Sequence, residues 1–445
     1  MSTRLPPTWG RGLSLGMLAC AMAVGFFAYG RVPNLLYGCA IFVVLLNFYY
    51  LFVFSGKAYL VAFSLWQSTL LLIGFVLIPK VFLLLESINS VIFIRQPTYV
   101  DEIGKYPGSL AEFSILISAI ILSVSFVATA RPLDAAKVGW LEKDFRFRML
   151  ALGIALGGSV LYGALRSVVP ADASFPIMVL SVAMLAAARS RLVILVVVMC
   201  FAASLLNHEI KLSLTVMAVA MLGWLREPGG RLKLTWVLAA MVPLMVAVPL
   251  LFATQYVEQT GRVLDNANFA LRAKLFLRQA DTGHCVDVVF DRHWQAPSRL
   301  DGLAQMFVGL VPRLVWRDKP QLSDGQYYAE EYCNRRGGEG TPNSATLTVI
   351  GEPLLLAGKA GLGVAVLTLA GIGWLGDWAL RRWRWGLVVA LALWPLAIDV
   401  DQNFMMYIAR LGKGTLIVVG LALLSQWLVR VRRPMPTGPG VRGQS

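Results

Sequence analysis

The chain has 445 residues, 57% hydrophobic and only 15% charged, with a formal net charge of +15 and a mean hydropathy of +0.67. A water-soluble domain cannot hide that much apolar surface, and several nearly uncharged runs approach the length a membrane helix needs. Hydrocarbon offers a backbone no water to bond, and these runs are too long for barrel strands. The predicted fold is therefore an all-α polytopic membrane protein.

In chain order, Arg4 and Arg11 precede an apolar stretch that reaches Tyr29. Met17-Leu18-Ala19-Cys20 has the form of a lipoprotein cleavage box, but the many spans that follow predict an uncleaved first helix. About twelve spans are expected, at 12–29, 34–54, 58–79, 109–129, 149–167, 173–188, 192–207, 212–225, 234–254, 346–376, 386–400 and 415–429. Between the third and fourth, Val81 to Ile94 is apolar but interrupted by Glu86, Asn89 and Ser90, which predicts a re-entrant or interfacial helix. Residues 1–255 thus form nine helices, 256–345 a large loop before the tenth helix, and 346–430 three more. Residues 431–445, with Pro434-Met435-Pro436-Thr437-Gly438-Pro439-Gly440, have the composition of a disordered tail. No internal repeat is visible.

Charge sets the expected orientation. Loops on one side of these twelve spans hold twenty Lys/Arg, from Arg4 to Arg442. The other side, outside the long loop, holds nine: Arg31, Lys80, Arg95, Lys105, Arg166, Lys211, Lys359, Arg410 and Lys413. The positive-inside rule places both termini in the cytoplasm and the loop outside. The loop carries eleven basic and eleven acidic residues and is neutral. The excess charge therefore reports orientation, and no nucleic acid partner is expected.

Cys20, Cys39 and Cys200 fall inside apolar segments as small hydrophobes. Cys285 and Cys333 share the loop; an oxidising compartment would pair them as a disulfide, and two buried free thiols are the alternative.

No Walker loop, nucleotide-binding glycine fingerprint or HExxH motif is present, and His208, His284 and His293 have no zinc spacing. No cofactor or metal is expected. The chemistry-bearing residues converge on the outer side. Arg278, Arg299, Arg313, Arg317 and Lys319 stand in the loop, and arginine binds phosphate oxygens bidentately. Arg313, Arg317 and Lys319 are bracketed by Pro312 and Pro320, with Trp316 among them to stack on a sugar or anchor at the interface. Glu352, between Gly351 and Pro353, opens the tenth span as a general base or an ion-pair partner. Asp399 and Asp401 end the eleventh span, followed by Asn403, Tyr407 and Arg410, and Glu209 follows the seventh.

The run Pro312-Arg313-Leu314-Val315-Trp316-Arg317-Asp318-Lys319-Pro320, then Ser344-Ala345-Thr346, Gly351-Glu352 and Lys359-Ala360-Gly361-Leu362-Gly363, resembles the Wzy-type oligosaccharide repeat-unit polymerases of O-antigen and exopolysaccharide synthesis. An extra residue between Arg313 and Trp316 departs from that family's pattern, and the match covers Gly309 to Gly363 plus the overall topology. The resemblance implies a GT-C-like membrane glycosyltransferase, metal- and ATP-independent. Undecaprenyl pyrophosphate would leave as a hydroxyl of the next lipid-linked repeat unit attacks the anomeric carbon. Arg313 and Arg317, with Arg278 or Arg299, would stabilise the departing diphosphate; Glu352, or behind it Asp401 or Glu209, would take the proton. A chain-length regulator and a flippase are the implied protein partners. Two rivals stand beside this reading: an O-antigen ligase using His284 or His293, and a flippase or transporter of lipid-linked sugars.

Overall fold

The computed structural model describes residues 7–54, 61–78, 109–129, 145–163, 171–206, 210–225, 282–283, 285–311, 316, 318, 325–333 and 345–431. Among them every regular element is helical. The bundle contains α1 (Pro7–Ala28), α2 (Pro33–Tyr49), α3 (Phe63–Leu72), α4 (Leu110–Thr129), α5 (Phe145–Gly163), α6 (Ala171–Ala187), α7 (Leu192–Leu206) and α8 (Ile210–Leu225). The large loop contributes α9 (285–293), α10 (Leu300–Met306) with a 3-10 turn at Val308–Leu310, and α11 (Gly325–Tyr332). The chain then closes with α12 (Thr348–Arg382), α13 (Gly386–Ala397) and α14 (Phe404–Val431).

Among the described residues, six helices are long and apolar enough to cross a membrane: Gly10–Ala28, Pro33–Phe52, Leu110–Thr129, Phe145–Tyr162, Thr348–Arg382 and Phe404–Leu428. The expected spans at 58–79, 173–188, 192–207, 212–225 and 386–400 correspond to shorter apolar helices packed among them. The expected span at 234–254, the interfacial segment 81–94 and the tail lie outside the described residues. The last helix starts eleven residues before the expected 415, at Phe404, and takes in Arg410 and Lys413. A hydropathy window ends a span at such charges, whereas a helix carries long cationic side chains by lying their stems along it and reaching outward.

Outward-facing apolar residues such as Phe26 (60% exposed), Leu45 (61%) and Leu416 (73%) suit lipid, not water. Between helices, polar side chains satisfy one another. Asn47 donates to Ser68 Oγ and Thr69 Oγ1 and accepts from Ser123 Oγ, which ties α2, α3 and α4 together. Gln67 of α3 donates to the Ala397 carbonyl and to Tyr407 Oη. Such bonds fix helix register where lipid offers no alternative partner.

At one end of the bundle lie the loop helices. Cys285 and Cys333 are joined by a disulfide, which clamps α9 to the end of α11. At the other end, Arg381 of α12 donates to the Thr129 carbonyl at the close of α4. The helix α12 is broken at Ala357 and Gly358, where Gly358 has φ +62° and ψ −152°, a region essentially closed to residues with a Cβ. The break is where α10 docks: a Cβ on Gly302 would lie 2.0 Å from the Leu356 carbonyl oxygen, and one on Gly358 would lie 3.2 Å from that of Ala296. Two glycines thus let backbone meet backbone. Gly302→Ala and Gly358→Ala should each lower the thermal midpoint, at about 1–3 kcal/mol. The double variant should fall short of the sum, because both act on one contact; a fluorescence melt in detergent reads both results.

Candidate functional site at the loop end of the bundle

The site is built where α12 begins and α13 hands over to α14. Leu347 N–H donates to Asn403 Oδ1 at 2.6 Å, and Val349 N–H donates to the Val400 carbonyl at 3.3 Å. These bonds hold Thr348 at φ +66°, a left-handed conformation that a β-branched residue adopts only when its surroundings impose it. Its hydroxyl then accepts from the Ile350 and Gly351 amides, which caps the new helix. Strain is stored at the entrance to α12.

Glu352 sits one turn further on and is fully buried. Its Oε1 accepts from Tyr328 Oη of α11 at 3.1 Å, and its Oε2 from the Met405 amide at 2.8 Å. Phe404 and Met405 open α14, so the carboxylate caps that helix's N-terminus from a neighbouring helix, where negative charge is favoured. Glu352 joins three elements and has no exposed surface.

A second layer is accessible. Lys211, at the start of α8, pairs with Asp399 at 2.5 Å. Burial pushes the Asp399 carboxyl up, but Lys211, a hydrogen bond with Asp401 and the Arg410 charge outweigh it and hold it below its ordinary value. Arg410 also donates to Gln402 Oε1 at 3.0 Å. Asp401, Gln402 and Arg410 are half-buried and Lys211 is exposed, which leaves the Asp399 and Asp401 carboxyls between two cations at the surface.

The loop helices roof this region. Trp294 stacks on Phe290, and Lys359 Nζ lies 4.8 Å above the Trp294 ring. Arg299, just before α10, is exposed, as is Trp316. A Cβ on Gly309 would lie 2.5 Å from the Met405 carbonyl oxygen, so the 3-10 turn rests on the first turn of α14. The described chain pauses two residues later, at Val311. Arg313, Arg317, Lys319, Arg278, Glu209 and His284 lie outside the described residues. Among the expected site residues, Glu352, Asp401, Arg410, Arg299 and Trp316 are placed; Asp401 and Arg410 both bear on Asp399, and Glu352 bonds the Met405 amide at the start of the same helix as Arg410. Tyr328, Trp294 and the partnership of Lys211 with Asp399 were not foreseen. Aromatic spacing in Tyr327-Tyr328-Ala329-Glu330-Glu331-Tyr332 was the available signal for Tyr328.

His293 ends α9 and shares a hydrogen with Tyr332 Oη at 3.1 Å. Burial, then Arg292 and Arg299, hold its ring below the ordinary histidine range, so it is neutral at pH 7. Among the described residues, no three His, Cys, Asp or Glu side chains are grouped to hold a metal ion.

Asp287 of α9 accepts from Ser109 Oγ at 2.6 Å at the start of α4. Burial pushes its carboxyl up to about 8, with Glu112 and Asp291 adding to the shift against the Ser109 bond. Glu112 itself accepts from Tyr37 Oη. The folded protein keeps a proton on Asp287 that the unfolded chain releases above its ordinary carboxylate value, so stability falls as pH rises from about 4 to about 8. Asp287→Asn keeps the acceptor for Ser109 and should flatten this dependence, with a higher thermal midpoint than wild type at pH 8. Melts across pH 5 to 8.5 test it; parallel curves for the two proteins would refute the assignment.

No protein-family model, no curated protein and no solved structure matches the chain.

Proposed function

We propose that the chain is a GT-C-type membrane glycosyltransferase that joins undecaprenyl-pyrophosphate-linked oligosaccharide repeat units, working at the periplasmic face of a bacterial inner membrane with both termini in the cytoplasm. The observation that carries the reading is the Asp399–Asp401 pair set between Lys211 and Arg410 at the loop end of an apolar bundle. The 3-10 turn that rests on Met405, four residues after Asp401, leads in sequence into Pro312-Arg313, the segment that resembles the Wzy-type polymerases.

In this reaction the carbon–oxygen bond between the anomeric carbon and the diphosphate breaks, and the diphosphate leaves with the electron pair. A hydroxyl of the incoming unit forms the new glycosidic bond and gives up its proton. Asp401, beside Asp399, takes that proton as the general base. Arg410, Arg313 and Arg317 oppose the growing charge on the leaving diphosphate. Trp316, which is exposed, offers a face on which a sugar ring rests. Glu352 serves by fixing α11, α12 and α14 in register. Both substrates are confined to the membrane plane, which removes much of the encounter entropy.

The ligase reading has one observation in its favour: neutral His293, hydrogen-bonded at the end of a loop helix beside Arg292 and Arg299, is a proton acceptor in the loop itself. Deletion of the gene and gel analysis of surface and secreted glycan separates the two. Polymerase loss leaves single repeat units and no long chains. Ligase loss removes glycan from lipid A while lipid-linked chains persist.

A further inference from the structure

We propose that the groove formed by α12, α13 and α14, at the end of the bundle away from the loop helices, binds an anionic phospholipid, with one acyl chain in the groove and the phosphate on Arg382. The proposal rests on the membrane-embedded reading of these helices and is independent of sugar transfer.

The groove has a volume of about 580 Å³, and carbon lines nearly all of it, including Phe63, Leu375, Trp378 and Leu411. Arg382 and Thr415 are the polar side chains at its wall. Water inside would have almost nothing to bond, and a cavity of this kind excludes it. Its outer rim is open, because Leu375 is 55% and Trp378 50% exposed, so a chain enters sideways from the bilayer. Along α12 the lining runs from Ile372 to Trp383, roughly 16 Å at 1.5 Å per residue. That is about half of a hydrocarbon core some 30 Å thick, the depth of one leaflet.

The headgroup end is defined by charge. Arg381 is engaged with the Thr129 carbonyl. Arg382 is exposed and has no hydrogen-bond or ion-pair partner among the described residues. Trp383, beside it, already uses its indole N–H on Gln426 Oε1 at 3.4 Å and presents its ring to the groove. A free guanidinium at the mouth of a leaflet-deep apolar slot, flanked by tryptophan, matches a phosphodiester headgroup followed by an acyl chain. A zwitterionic lipid would place its own cation against the same arginines, which disfavours it.

Full-length protein in nanodiscs of equal phosphatidylglycerol and phosphatidylcholine, released into native mass spectrometry, tests the site. The expected result is retained phosphatidylglycerol on wild type. Arg382→Ala should reduce it about fivefold, as for one arginine at a membrane surface. Ala379→Phe, which fills the slot, should displace both lipids while the thermal midpoint reports whether the fold is kept. If it unfolds, brominated phosphatidylglycerol and brominated phosphatidylcholine are compared as tryptophan quenchers of wild type and Arg382→Ala. Equal retention of the two lipids on wild type, or a preference that Arg382→Ala leaves intact, overturns the proposal.

Discussion

Replacing Glu352 by alanine should cost about 3 kcal/mol and lower the yield of folded protein, whereas Glu352→Gln should fold and keep most of its activity. The reason is the geometry of a carboxylate with no exposed surface. Alanine leaves the Met405 amide and the Tyr328 hydroxyl buried without an acceptor, and each such orphan costs roughly 1–3 kcal/mol. Glutamine supplies a carbonyl oxygen for the Met405 amide and turns its amide to the Tyr328 oxygen, which also accepts. A general base cannot be replaced by glutamine, because an amide takes no proton near neutral pH. Asp401→Asn should give the opposite pattern, with a wild-type thermal midpoint and lost polymerisation. Melting curves and glycan ladders on the same three variants decide. Glu352→Gln that melts like wild type but makes no long chains would transfer the base to Glu352.

The second large effect is expected at Arg313. Arg313→Ala should reduce chain extension by about a hundredfold to a thousandfold, the usual result of removing one donor aimed at charge that builds in a transition state. Expression and membrane insertion should be unchanged. Arg313→Lys should fail nearly as badly, since a point charge cannot reproduce a bidentate fork on a diphosphate. Gel analysis of glycan length, with membrane-fraction blotting as control, reads both; wild-type ladders from Arg313→Ala would remove the arginine from the mechanism.

How far the residues alone lead is clearest at the α13–α14 junction. Asp399, Asp401, Asn403 and Arg410 are close in sequence and end an apolar run, so their gathering at one end of the bundle was readable. That Lys211, 188 positions earlier, completes the ion pair was not, because only the packing of α8 against α13 brings them together. Glu352 shows the same division. Its place at the entrance to α12 follows from Gly351 and Pro353. Its enclosure depends on Tyr328 and Met405, which belong to other helices and reach it only through packing.

The sequence by itself determined that this chain is helical and membrane-embedded, because hydrocarbon penalises any unbonded backbone and the apolar runs have the length that helices need. It also marked the loop arginines and the carboxylates near them as candidate site residues. Only the tertiary structure decided which carboxylates reach the surface and which are enclosed to cap a helix. Access and hydrogen-bond geometry arise from contacts between segments far apart in the chain, and no local pattern encodes them.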